Sequence, residues 1–169
     1  MAINYEQLRD CVIIPTLQYL DPEIPYSDEA VDLLMLTCAH ESNLGTYLKQ
    51  VGGPACGIFQ LEPDTHDDIW GNYISYRGGI EDKINRLSLG MTLPAMAHSE
   101  ESIYNLPFAT AMARVHYYRV PESIPKKKDF AVEDDYLQAL ACYAKRHFNT
   151  HLGKAKSSDY YWAYQKYCT

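Results

Sequence analysis

At 169 residues, with 47% hydrophobic and 22% charged side chains, the chain is long enough for one compact domain with its own core and has ordinary globular composition. A formal net charge of −7 argues against non-specific nucleic-acid binding, which needs a dense cationic surface. No apolar run approaches the ~20 residues of a membrane span.

The N-terminal stretch MAINYEQLRDCVIIP carries Glu6, Arg9 and Asp10 where an export signal needs a basic start and a clean apolar run, so no such signal is expected. Residues 4–20 are predicted helical. Leu8, Cys11, Val12, Ile14, Leu17 and Leu20 recur near the helical period, and Pro15 must kink or split the helix. After the loop DPEIPYS, Ser27 is placed to cap a second helix through Ser42, with Asp28 and Glu29 at the positive end of its dipole. Segment 46–61 has β character: TYLKQV, a GGP turn, then CGIFQL, enough for a small hairpin or ribbon. Pro63 and Asp64 break it. Thr65 with Asp68 three residues on resembles a capping box and opens a helix over 65–74. Further helices are predicted at 80–89, 106–119, 133–148 and 157–167. Pro121 and Pro125 bound a loop that leads into Lys126–Lys128, a solvated run by default. No repeat or linker divides the chain. The expectation is one domain over residues 1–169, mainly α, with a small β excursion between the second and third helices.

Five cysteines are scattered without a CxxC pair, which points to free thiols packed as small core residues. Fifteen tyrosines are the compositional excess. They fit either packing at the edge of a small core or a groove that stacks on sugars, and composition favours packing.

Glu41 is the residue that asks for an explanation. It falls seven residues after Leu34 and three after Cys38, on the apolar stripe of the second helix. An ionised carboxylate facing a core or cleft carries a desolvation cost unless paired. A carboxylic acid kept protonated there is what a general acid needs to protonate a poor leaving group such as a glycosidic oxygen. The alternative is a frayed helix end that turns Glu41 into solvent. Downstream, Gly52, Gly53, Pro54 and Gly57 allow backbone to approach a ligand closely. Gln60 and Glu62 alternate with Phe59 and Leu61, so a polar pair is expected to line a cleft whose other wall holds Glu41.

These residues carry a resemblance. HES followed by GPACGIFQLEPDT resembles the signature of lysozyme-like lytic transglycosylases, in which a helix ends in Glu-Ser and a glycine-rich β region leads through Gln to Pro-x-Thr. The matching positions are Glu41 and Ser42, then Ala55, Gly57, Ile58, Phe59 and Gln60, then Pro63 and Thr65. The extended form FQLEPDTHDDIW is closer to the bacteriophage branch of soluble lytic transglycosylase-type enzymes. Two stretches, 108–120 and 139–155, extend the likeness more weakly. Pro54 replaces the first family glycine, Ala144 stands where an Asn usually follows the tyrosine matched by Tyr143, and Glu62 occupies a position that is usually apolar.

The resemblance implies an α+β lysozyme-like fold, a helical domain with a small β-hairpin flanking the active-site cleft. It implies cleavage of the MurNAc–GlcNAc bond in peptidoglycan glycan strands, with no cofactor. Glu41 would be both general acid and base, leaving 1,6-anhydro ends. Ser42 would orient Glu41 or hold a substrate acetamido group, Gln60 would hydrogen-bond the substrate, and Tyr117, Tyr118 and Tyr143 are candidate sugar contacts. Glu62 is a candidate second carboxylate: a base, a water holder, or an anion at a helix start. A hydrolytic muramidase would use it in that second role, with the carboxyl groups ~6.5–9.5 Å apart. A non-catalytic virion structural or glycan-binding protein is the reading from another class. No metal is expected, since the side chains of THDDIW diverge at a helix start. His116 and His147 have no partner visible in the sequence and are read as structural. The phage resemblance implies a protein made in the host cytoplasm that acts at the cell wall, as an endolysin or a virion component. The acidic balance suits an assembled component, beside other virion proteins, better than a free lysin at an anionic envelope.

Overall fold

The computed structural model describes residues 2–88, 98–149 and 154–168. Residue 89 of the predicted 80–89 helix and residues 150–153 of the weaker downstream likeness lie outside them. The protein is mainly α-helical.

The first predicted helix is built in three pieces: α1 (Tyr5–Leu8), a π-helical stretch (Arg9–Ile13) and α2 (Ile14–Leu20). Pro15 has no N–H to continue an α-helical ladder, and the preceding Ile14 N–H reaches back five residues to the Arg9 carbonyl. The proline is thus absorbed by one wide turn in a continuous rod. Helix α3 (Asp28–Ser42) begins where expected, with Ser27 Oγ accepting the Ala30 N–H at 3.2 Å. It ends on a left-handed Asn43 (φ 51°), whose N–H returns to the Cys38 carbonyl.

Between α3 and α4 the expected hairpin is absent as a strand pair. The described residues 46–61 form two isolated antiparallel bridges, Lys49 with Cys56 and Cys56 with Leu61. Positive φ at Gly52 (74°), Gly57 (75°) and Gln60 (49°) turns the chain too often for a ladder to extend. The alternation survives: Phe59 and Leu61 are buried, Gln60 is half-buried and Glu62 is exposed. Gly57 is held close to protein, since a Cβ there would sit 2.5 Å from the Ser102 carbonyl oxygen.

Helix α4 (Pro63–Asn72) starts two residues before the predicted capping box. Pro63 occupies the first turn, where its missing N–H is harmless, and Glu62 is the N-cap residue without a side-chain capping bond. Then come α5 (Gly78–Leu87), a 3-10 segment (His98–Ile103), α6 (Leu106–Tyr118), α7 (Glu133–His147) and α8 (Ser157–Tyr167). Every residue of α6 from Phe108 to Tyr117 is buried, which marks it as the central helix. Ala109, Ala113 and Tyr117 face one apolar cluster with α3, α7 and α8. Phe108, Met112 and Val115 face a second with α2, α4 and α5. None of the described helices is long and apolar enough to cross a membrane.

Candidate functional site

Glu41 stands in the last turn of α3, and its side chain is 16% exposed. The Tyr160 hydroxyl of α8 donates to Glu41 Oε1 at 2.6 Å. His40 Nδ1 lies 3.2 Å from the same oxygen, and the His40 ring stacks on Tyr160 with centroids 3.7 Å apart. Burial first, then the adjacent Glu41 charge, pushes the Tyr160 hydroxyl far above the usual tyrosine range, so it stays a donor at any working pH. The carboxyl is therefore oriented by α8 as well as by its own helix. Neither Tyr160 nor His40 was singled out from the sequence. Tyr160 begins a stripe with Tyr164 and Cys168 that is buried along α8, a pattern that signals packing but not its partner.

Ser42 is fully buried and joins α3 to the loop that follows. Its Oγ accepts the Gly45 N–H at 2.8 Å and contacts the Ile58 carbonyl at 2.6 Å and the Cys38 carbonyl at 3.1 Å. A hydroxyl committed in this way braces the loop and has no face left for a substrate acetamido group. Gln60, next but one after Ile58, is half-buried, and its Nε2 donates to the Gly57 carbonyl at 2.7 Å.

Glu62 is exposed at the start of α4. That position suits an anion at the positive end of a helix. The three candidate tyrosines gather elsewhere. Tyr117, 1% exposed, shares a 2.7 Å hydrogen bond with Thr37 Oγ1, one turn before Glu41. Tyr143, 2% exposed, donates to the Glu122 carbonyl at 2.8 Å. Both, with Tyr118, line a cavity between α6, α7 and the 25–27 and 120–126 loops. Their rings serve chiefly as core.

A second cavity of about 420 Å³ opens among the start of α4 and the ends of α6 and α7, lined by Asp64, Thr65, Asp68, Arg119, Arg146 and Asn149 among others. His116 and His147, read as partnerless, do have partners. His116 Nε2 donates to the His147 carbonyl at 3.0 Å, and His147 Nε2 meets Glu122 at 2.8 Å. Among the described residues, no group of three His, Cys, Asp or Glu is placed to hold a metal ion.

Compared with family models, curated proteins and solved structures, the chain finds no match in any of the three.

Proposed function

We propose that this chain is a lysozyme-like lytic transglycosylase, phage-encoded, that cleaves the MurNAc–GlcNAc bond of peptidoglycan with Glu41 as its acid and base. The observation that carries the reading is the Glu41 carboxyl: nearly buried at a helix end, with one oxygen fixed by a tyrosine donor. Tyr160 occupies Oε1 and leaves Oε2 for the transferred proton. Glu41 donates that proton to the glycosidic oxygen as the bond breaks and the muramoyl ring passes through an oxocarbenium-like state. The resulting carboxylate takes a proton from the muramoyl 6-hydroxyl, whose oxygen closes on C1. The product is a 1,6-anhydro end, formed without water. One carboxylate suffices for this route, and the exposed Glu62 at the start of α4 fits the role of helix-start anion. The 46–61 segment, with two isolated bridges, follows the helix that carries Glu41, the chain order that the resemblance implies. The enzyme acts at the host wall, as a virion component or an endolysin.

The test is digestion of purified peptidoglycan by the wild type, Glu41→Gln and Glu62→Gln, with the released muropeptides weighed by mass spectrometry. Products one water lighter than hydrolytic ones, lost with Glu41→Gln and kept with Glu62→Gln, are expected. Full-mass reducing ends that vanish with Glu62→Gln would make the protein a muramidase. No release by a folded wild type would leave a glycan-binding or structural protein.

A further inference from the structure

Arg114 is the one arginine in α6 and lies in its buried middle, only 6% exposed. Its guanidinium is poorly compensated. Nη2 makes a long bond of 3.3 Å to the Pro25 carbonyl, Nε has no partner, and the group rests over the Tyr118 ring at 5.3 Å. Burial holds it below the usual arginine range, and the neighbours that offset this are tyrosines, not acids. The one carboxylate in the wall of the adjoining cavity, Glu122, binds Arg146 at 2.7 Å and His147 at 2.8 Å.

A buried cation without a counter-ion is costly to maintain. This one borders the cavity of about 300 Å³ that also holds Tyr118 and Tyr143. Ser27, Ser123 and Lys126 add hydroxyl and ammonium donors to its wall, and Pro121 and Ile124 add apolar surface. A volume of this order is at the lower limit of small-ligand pockets. Planar forked donors beside aromatic and apolar walls suit a carboxylate carried on an apolar body.

We infer that this cavity is a binding site for a small organic carboxylate, which supplies the counter-charge that Arg114 lacks. The carboxylate belongs either to a free acid or to the C-terminus of a short peptide. The site is separate from Glu41: the Tyr117 ring forms part of the cavity wall while its hydroxyl bonds α3. The inference is independent of the glycosidase reading.

The test is a titration of the full ¹⁵N-labelled chain, followed by amide chemical shifts. Benzoate and N-acetylalanine represent the two sources, and benzamide and N-acetylalaninamide are their uncharged counterparts. Saturable millimolar shifts confined to the amides of residues 26, 27, 114, 118–120, 122–124 and 126 are expected with one acid or both, and which acid binds tighter names the source. The amides should bind at least about 10-fold more weakly, as should the acids to Arg114→Lys, which keeps the charge but loses the fork. Ser123 is exposed, so Ser123→Asp places a resident carboxylate at the cavity without disturbing the core, and it should abolish binding. Equal binding of acids and amides, unchanged affinity in Ser123→Asp, preference for inorganic phosphate, or no shift with either acid would each overturn the inference.

Discussion

Replacing Ser42 with alanine removes one oxygen from a fully buried junction. The Gly45 N–H and the Ile58 carbonyl then lose the partner that holds them at 2.8 and 2.6 Å. The Cys38 carbonyl is less affected, because the Leu44 N–H still reaches it at 3.1 Å. The buried Ile58 carbonyl left unpaired at about 2 kcal/mol and the half-buried Gly45 N–H at about 1 kcal/mol give a loss of about 3 kcal/mol. In a domain of this size each kcal/mol lowers Tm by about 2–4 °C, so the drop should be about 6–12 °C. Urea unfolding of both proteins at neutral pH, followed by far-UV circular dichroism, gives the difference directly, with m unchanged. A loss below about 1 kcal/mol would mean that water or a shifted loop replaces the hydroxyl, and that Ser42 does not brace the 46–61 segment.

Tyr160→Phe keeps the ring stacked on His40 and deletes the 2.6 Å bond to Glu41. On the proposed reading the acid is neutral when the reaction starts, and a hydrogen bond to a neutral group is worth about 0.5–1.5 kcal/mol, so kcat on peptidoglycan should fall about 2- to 10-fold while the fold survives; an unchanged kcat in a muropeptide-release assay would detach Tyr160 from the chemistry. Acid should weaken the fold through His116. Burial, reinforced by Arg119, lowers its imidazole to about 4. The unfolded chain takes up that proton near pH 6.5, so stability is intact above this value and falls by about 3 kcal/mol as the pH drops to about 4. His116→Gln should flatten that limb, and an equal slope in variant and wild type, measured by urea midpoints across this window, would contradict the assignment. Finally, Cys11 and Cys142 are exposed, whereas burial pushes Cys38 up to about 12 and raises Cys168 as well. A maleimide at pH 8 should label the two exposed thiols in the native protein and the buried ones only after unfolding, with rapid native labelling of Cys38 as the refuting result.

The helices were legible because their signals are local. Ser27 with Asp28 and Glu29 fixed the start of α3, and the predicted 157–167 helix matches α8 residue for residue. The start of α4 was misread because Thr65 and Asp68 looked like a cap, whereas Pro63 already has the backbone geometry of a first helical turn. The β reading of 46–61 saw side-chain alternation but could not see three positive-φ residues, one of them Gln60, which lacks a glycine's freedom. At the site, the stripe through Leu34 and Cys38 placed Glu41 correctly at the edge of the core. Its partners were invisible: Tyr160 is 119 residues away, and no spacing rule spans that distance. Tyr117 and Tyr143 were named for sugar contact because of tyrosine's chemistry, but burial gave both rings to packing.

The bond between Glu41 and Tyr160 also dictates an order of events. A ribosome that has finished α3 must still make more than a hundred residues before the phenol exists, and α8 must then dock on α3. Until that moment Glu41 lacks the phenol that holds its Oε1. On the proposed reading, a chain whose α8 has not yet docked holds a Glu41 that is not yet oriented, so cleavage would follow the completion of folding instead of accompanying it.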